Sequence, residues 1–152
     1  MSRYQPIIDV LIESGNYDKV YFDHDHELKI PYRNIGYLKL NALQEQRGKD
    51  RKLQKKEADV CAIKDGKLKI IIEEEQHPTV NKVKNDIEII SKCRYLWIEE
   101  DEYPFDADCV LFILLFNNKN EIHEEVIENK GSLKQIVVCK KELFQEKYNQ
   151  IW

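Results

Sequence analysis

Four acidic residues lie at the open end of a predicted β-hairpin that spans residues 59–75. The hairpin turns at Asp65-Gly66, so Asp59 opens its first strand and three consecutive acids, Glu73 to Glu75, end its second. Folding the hairpin would bring Asp59 beside those three acids. Carboxylates held close together are costly unless a cation lies between them, so the pattern indicates a divalent metal site.

The alternation of strand side chains determines which of these acids share a face of the sheet. The odd-numbered acids, Glu73 and Glu75, fall on one face of the second strand. The even-numbered Glu74 and Gln76 continue the opposite face, which is apolar closer to the turn. Asp59 can therefore join either pair, depending on the register of the hairpin.

The type of turn sets that register. A three-residue loop of residues 64–66 would pair Asp59 with Ile71 and place it on the face of the odd-numbered acids. A two-residue turn at Asp65-Gly66 would pair Asp59 with Ile72 and place it on the face of the even-numbered residues. The amphipathic pattern of the second strand favours the three-residue loop.

A basic segment lies immediately before the hairpin. Its six cations face a single acid, Asp50, and are Arg47, Lys49, Arg51, Lys52, Lys55 and Lys56. Cations at this position can hold a nucleic-acid backbone beside a metal ion that neutralises charge on a reacting phosphate. Lys69 and His77 lie near the acids in sequence and are candidate accessory groups. The combination predicts metal-dependent hydrolysis of phosphodiester bonds.

These residues resemble the core of the PD-(D/E)XK nuclease superfamily, which includes restriction endonucleases, archaeal Holliday junction resolvases and repair nucleases. In that superfamily an acid opens one strand, acid-x-lysine ends the next, and a helix follows. The resemblance covers about residues 57–99, with Glu75, or Gln76 in the other register, at the lysine position. It implies that Asp59 and Glu73 bind Mg²⁺ or Mn²⁺, with Glu74 and Gln76 as alternates. Glu75 stands at the position of the lysine and would be a metal ligand or a base.

The resemblance also implies a fold and a partner. The fold is α/β, with a central mixed β-sheet flanked by helices and a restriction-endonuclease-like αβββαβ core. The partner is nucleic acid, preferentially DNA, and a homodimer would suit the cutting of two strands. A chain of this size has little room for a base-reading domain, which favours structure-selective or weakly specific cleavage.

The remaining sequence predicts the elements that must position the hairpin. Helices are expected at residues 4–14, 34–46, from 80 onward after a Thr79 cap, 121–129 and 141–150. Strands are expected at residues 19–23, 27–30, 94–99, 109–116 and 135–140. The acids between residues 99 and 108 are expected to lie in a solvated loop.

The bulk properties agree with a small globular enzyme. The chain has 152 residues, of which 42% are hydrophobic and 34% charged, and this indicates a single domain over residues 1–152. A net charge of −4 argues against a protein that coats nucleic acid indiscriminately. Four cysteines without a CxxC pair predict reduced, buried thiols, and with no signal-peptide or membrane-spanning pattern we expect a cytoplasmic protein.

A non-catalytic nucleic-acid-binding or protein-assembly module on the same fold is the alternative, since the lysine of the motif is missing. Such a module would bind nucleic acid in a salt-sensitive way that is indifferent to Asp59. A domain that binds a basic protein through its acidic segments would show neither salt-sensitive DNA binding nor a bound divalent ion.

Overall fold

The computed structural model describes residues 4–23, 35–38, 40–48, 51–119, 121–128 and 130–151, with only the backbone of Arg51. Within these ranges three α-helices form: α1 (Gln5–Glu13), α2 (Val80–Lys92) and α3 (Phe144–Ile151). The strands are β1 (Lys19–Phe22), β2 (Ile35–Tyr37), β3 (Asn41–Gln44), β4 (Val60–Lys64), β5 (Lys67–Glu75), β6 (Tyr95–Ile98), β7 (Asp101–Leu115), β8 (Glu125–Glu128) and β9 (Gln135–Lys140). No helix in the described ranges is long and apolar enough to cross a membrane.

The described strands form one mixed sheet. β1, β4 and β5 are neighbours in antiparallel pairing, and the second half of β7 then runs parallel to β5. β9 runs parallel to β7, and β8 pairs antiparallel with β9. The first half of β7 pairs instead with β6, which pairs with β3. The predicted α/β architecture, a mixed sheet flanked by helices, is confirmed.

Helices cover both faces of the sheet, so its central strands are apolar on both sides. α2 lies on one face and packs Val83 and Ile90 against a core that includes Ile71 of β5. α1 and α3 lie on the other face, where Ile7 and Phe144 pack with the core that includes Ile70, Ile72 and Phe112. Burying each such side chain stabilises the fold by about 1.5–3 kcal/mol. The predicted strand at residues 109–116 is confirmed as the second half of β7, which lies between β5 and β9.

The helix ends are fixed by local chemistry that the sequence predicts. Ser14 ends α1, and Gly15 follows with φ +70°, a conformation that costs glycine little. Pro78 cannot extend the β5 ladder, and the Thr79 hydroxyl then accepts a hydrogen bond from the Lys82 N–H at 3.2 Å. The predicted helices at residues 4–14 and after Thr79 are confirmed.

The turn of the β4–β5 hairpin has two residues. Asp65 and Gly66 have φ values of 52° and 73°, as a type I′ turn requires, and Lys64 pairs with Lys67. The predicted three-residue loop is therefore wrong. An Asp-Gly turn matches the right-handed twist of the strands without a bulge at the turn itself.

A β-bulge lies further along β5, at Lys69. Ile63 pairs with Leu68 but Ala62 pairs with Ile70, so Lys69 is an extra residue without a partner on β4. The register then continues through Val60 and Ile72, and one residue further it places Asp59 opposite Glu73. Both predicted pairings of Asp59 are therefore wrong. The favoured one missed by two residues, which leaves Asp59 on the face that it predicted.

Residues 34–46 do not form the predicted helix. The described residues of this range form β2, parallel to β1, and β3, antiparallel to β6. The apolar spacing misled the prediction because Leu43 is buried while Leu40 is 65% exposed and has φ 49°. Pairing with strands distant in sequence determines the conformation here.

Two further predictions are wrong, and one lies outside the described residues. Residues 125–128 form β8 at the sheet edge rather than a helix, because β9 offers them a strand to pair with. Residues 101–108 belong to β7 rather than to a solvated loop, and their acids pair with cations: Glu102 with Arg47, Asp106 with Lys69 and Asp108 with Lys134. The predicted strand at residues 27–30 lies outside the described ranges.

The four cysteines are free and buried, as predicted. Each lies in the packed interior of the sheet and its covering helices, namely Cys61, Cys93, Cys109 and Cys139. Burial raises the pKa of the Cys93 and Cys139 thiols to about 12, which keeps both protonated at neutral pH. These thiols serve as small apolar groups in the core.

Candidate functional site

Two carboxyl groups lie side by side at the open end of the β4–β5 hairpin. Asp59 precedes β4 and Glu73 lies opposite it on β5, so both side chains point to the face covered by α2. The two groups lie within hydrogen-bond reach of each other. Asp59 Oδ2 also accepts a hydrogen bond of 2.9 Å from the Glu74 N–H, which fixes its orientation. Only 3% of Glu73 is exposed.

Helix α2 brings a further buried acid, Asp86, to this point. Asp86 lies between Val83 and Ile87 on the face of α2 that packs on the sheet, and only 4% of it is exposed. Its carboxyl group lies within hydrogen-bond reach of Glu75 on β5. We call Asp59, Glu73, Glu75 and Asp86 the carboxylate cluster. Sequence reasoning missed Asp86, although an acid inside the apolar stripe of a helix was a signal that could have found it.

Lys56 reaches into the carboxylate cluster. Its Nζ lies 2.7 Å from Asp86 Oδ1 and 3.9 Å from Glu73 Oε2, and 24% of the side chain is exposed. The backbone of Lys56 is held by Leu43 of β3, whose N–H donates to the Lys56 carbonyl at 2.7 Å. The sequence had grouped Lys56 with the cations that contact nucleic acid. The structure places it instead among the acids.

The raised pKa values of the cluster show that bringing these negative charges together is unfavourable. Burial raises the pKa of Glu73 well above its ordinary value, and the charges of Asp59 and Asp86 add to that effect against the opposing Lys56. Burial also raises the pKa of Asp59, although its hydrogen bond from Glu74 opposes the shift. Burial and the proximity of Asp86 raise the pKa of Glu75 to about 7. A single ammonium does not compensate four carboxyl groups.

Lys56 responds in the opposite sense. Burial lowers its pKa, but the charges of Glu73, Asp86 and Asp59 outweigh burial, so the net shift is upward. Lys56 therefore stays protonated at neutral pH and acts as the resident cation of the cluster.

The cluster contains carboxylate oxygens of the kind that bind divalent ions. Glu73 Oε1 and Asp86 Oδ2 are buried and receive no hydrogen bond from any described residue. Such orphaned acceptor oxygens are costly, and an all-carboxylate donor set is what Mg²⁺ and Mn²⁺ prefer. Among the described residues no three acids, histidines or cysteines converge in a ready-made ligand geometry. Binding would therefore require the side chains to draw together around the ion.

The other predicted site residues lie around the cluster rather than in it. Glu74 alternates to the opposite face and contributes its backbone N–H to Asp59, while Gln76 is exposed. Lys69, in the bulge, pairs with Asp106 Oδ1 at 3.1 Å and not with the cluster. His77 is exposed, and its carbonyl accepts a hydrogen bond of 3.2 Å from Lys82 Nζ.

The basic segment divides into parts with different surroundings. Arg47 Nε lies 3.1 Å from Glu102 Oε1, and its side chain is 78% exposed. Lys52 and Lys55 are exposed, and Lys52 lies in a short 3₁₀ helix of residues 51–53. Lys49 and the side chain of Arg51 lie outside what the structure describes. The exposed cations therefore lie along the chain next to Lys56, whose ammonium contacts the cluster.

We expect the metal-free protein to lose stability as the pH rises from about 5 to about 8. Folding raises the pKa of Glu75 from 4.5 to about 7. A carboxyl group whose pKa is raised by folding makes its full contribution to stability at pH values below its pKa in the unfolded chain. That contribution disappears as the pH rises through its pKa in the folded protein. Melting temperatures measured in EDTA should fall across this range and fall less in Glu75→Gln. Glu146→Gln, an exposed change on α3, should follow the unmodified protein.

The function of this chain has to be inferred from the geometry of the carboxylate cluster. The cluster combines two buried acids, Glu73 on β5 and Asp86 on α2, with the partly exposed Asp59 and Glu75, one lysine and two buried oxygens that lack donors. Comparison of the chain with protein-family models, with curated proteins and with solved structures found no match.

Proposed function

We propose that this chain is a Mg²⁺-dependent nuclease of the PD-(D/E)XK type that hydrolyses phosphodiester bonds of DNA. The observation that carries the proposal is the carboxylate cluster, in which buried acids surround a single lysine. The fold supports it once β2, β3 and β6 are treated as insertions: α1, β1, β4, β5, α2 and β7 then follow in the order of an αβββαβ core, with β1, β4 and β5 antiparallel and β7 parallel to β5.

Asp59, Glu73 and Glu75 are the residues that would hold the metal. A bound divalent ion would neutralise the charge that develops on the phosphoryl oxygens and lower the pKa of a coordinated water. Asp59 is oriented for this role by the Glu74 N–H, and Glu73 presents an oxygen without a donor. Asp86 is a positioning residue, because its 2.7 Å contact orients Lys56.

Lys56 supplies the cation that the sequence motif lacks. The lysine position of the motif holds Glu75, but Lys56 enters the cluster from the segment before β4 and lies 3.9 Å from Glu73. Its N–H groups can position a water or a phosphate oxygen at the cluster. Glu75 is either a third ligand of the metal or the base that accepts the proton of the attacking water.

The position of the exposed cations supports nucleic acid as the substrate. Lys52 and Lys55 directly precede Lys56 and are exposed, so a phosphate backbone bound along them would pass the carboxylate cluster.

Cleavage of supercoiled plasmid and of branched DNA tests the proposal directly. We expect nicking with Mg²⁺ or Mn²⁺ and none in EDTA. Cleavage that persists unchanged in EDTA would contradict a metal-dependent mechanism.

A non-catalytic nucleic-acid-binding or assembly module on the same fold is the second candidate. The observation that favours it is the short Lys56–Asp86 ion pair, which a purely structural cluster would also contain. This module would bind DNA equally with Mg²⁺ and EDTA, would lose that binding with added salt, and would cleave nothing.

A further inference from the structure

A small cavity lies beside β3 and β6, next to the chain segment that precedes Asp59. The cavity has a volume of about 140 Å³ and lies between these two strands and the segment of residues 54–57. Leu40, Ala42 and Trp97 give it apolar walls, and Asn41, Gln54 and Glu57 give it polar ones. It opens to solvent beside Leu40 and Gln54, both of which are exposed.

The cavity is connected to the proposed active site through the chain segment of residues 56–59. Glu57 lines the cavity and is the neighbour in sequence of Lys56, which enters the carboxylate cluster. Asn41 also lines the cavity, and its Oδ1 accepts a hydrogen bond of 2.8 Å from the N–H of Ala58, next to Asp59. A ligand in the cavity would therefore contact a segment that ends two positions before the metal-binding Asp59 in the sequence.

The chemistry of the walls fits an aromatic heterocycle and not a phosphate. Glu57 would repel an anion, but its carboxylate accepts well from an amino or imino group of a base. Gln54 offers both a donor and an acceptor. Its Nε2 donates to the Asn41 carbonyl at 3.2 Å and to Glu57 Oε1 at 3.3 Å, so a bound base would exchange these contacts for its own. Ala42 and Trp97 lie directly opposite each other on neighbouring strands and form a flat apolar wall with an indole ring. Bases stack on such rings in single-stranded complexes.

The size of the cavity selects the class of base. A cavity of about 150 Å³ holds one benzene ring in another protein, so 140 Å³ suits a six-membered ring. A pyrimidine fits this volume, whereas the second ring of a purine would extend beyond it.

We propose that this cavity binds one unpaired pyrimidine base of the nucleic acid next to the scissile phosphate. The inference rests on the proposed nuclease function and specifies its substrate: a strand with an unpaired pyrimidine, as in single-stranded or branched DNA. A base paired in a duplex cannot enter a cavity of this size without being extruded from the helix.

Trp97 provides a signal for base binding that does not depend on cleavage. The chain has two tryptophans, so Trp152→Phe leaves Trp97 as the only one. Titration in EDTA with oligothymidylate should quench its fluorescence with saturation, and an abasic oligomer of equal length should not. Oligodeoxyadenylate should bind more weakly. Equal quenching by the abasic oligomer would overturn the proposal, and equal affinity for both homopolymers would overturn the assignment to pyrimidines.

Variants of the cavity separate base binding from backbone binding. Gln54→Ala and Glu57→Gln should weaken binding of labelled oligothymidylate several-fold and leave binding of the abasic oligomer unchanged. Trp97→Leu should weaken it about 5- to 150-fold, the range expected for loss of one stacked base. Gln150→Ala, an exposed change on α3, is the matched control and should bind normally.

If the Gln54 and Glu57 variants bind every oligomer as tightly as the unmodified protein, the cavity is not a base site. That result would leave the nuclease proposal intact, because plasmid nicking is measured separately. Conversely, base-specific quenching without any cleavage would retain the cavity as a base site and refute the nuclease.

Discussion

Replacing Asp59 with asparagine should reduce metal-dependent cleavage at least about 1,000-fold and leave the fold intact. A bound divalent ion stabilises the transition state by several kcal/mol, and each 1.36 kcal/mol corresponds to tenfold in rate. Asparagine keeps an oxygen that can accept the 2.9 Å hydrogen bond from the Glu74 N–H but removes the negative charge that a metal needs. Single-turnover nicking of plasmid in Mg²⁺ is the measurement.

The fold should survive this change because it relieves repulsion. Burial raises the pKa values of Asp59 and Glu73, and the charge of Asp59 raises that of Glu73 further, so a neutral side chain at position 59 removes an unfavourable charge. Thermal unfolding in EDTA should therefore occur at an equal or higher temperature than in the unmodified protein. Asp106→Asn is the matched control, since Asp106 pairs with Lys69 outside the cluster, and it should cleave normally. Equal rates in both variants would refute the assignment of Asp59.

The elements of this fold that the sequence predicts correctly are those whose local chemistry agrees with their tertiary setting. α1 ends at Ser14-Gly15, α2 begins at Thr79, and the run of apolar residues in β7 needs two covered faces. In each case the short-range signal and the packing favour the same structure.

The incorrect predictions concern elements whose conformation depends on pairing with strands distant in sequence. β3 and β8 are short strands whose residues have no strong alternation, and each is a strand because β6 or β9 lies beside it. The bulge at Lys69 is a comparable case. The sequence shows the Asp65-Gly66 turn but contains no local signal for an extra residue four positions later. The face of Asp59 was nevertheless predictable, because a shift of two residues preserves side-chain parity.

Only some residues of the site could be predicted from the sequence, for a related reason. Asp59, Glu73 and Glu75 belong to one hairpin, so their proximity follows from local sequence. Asp86 and Lys56 come from α2 and from the segment before β4, and only tertiary packing unites them. An acid in the buried stripe of α2 was the one available clue, because a carboxyl group in that position needs a partner.

Replacing Lys56 with methionine should destabilise the metal-free protein by about 3 kcal/mol at about pH 8. The change leaves Asp86 and Glu73 buried without their cation, and loss of one partner from a buried ion pair costs about 3–5 kcal/mol. We expect the lower end because 24% of the Lys56 side chain is exposed. The loss should shrink toward about pH 5, where the acids bind protons, and shrink again when Mg²⁺ is added. Urea unfolding with and without EDTA measures both effects. Lys52→Met, an exposed change, is the control.

A second change separates the structural contribution of Lys56 from its contribution to cleavage. Adding Asp86→Leu to Lys56→Met replaces the buried pair with apolar groups, which is often neutral or stabilising. The double variant should therefore regain stability and still cleave at least about tenfold more slowly, because no ammonium remains to position water or phosphate. Recovery of both stability and cleavage would show that Lys56 only balances charge. Stability without cleavage would show that Lys56 takes part in the reaction. The catalytic lysine would then lie outside the linear motif and be brought to the acids by the fold.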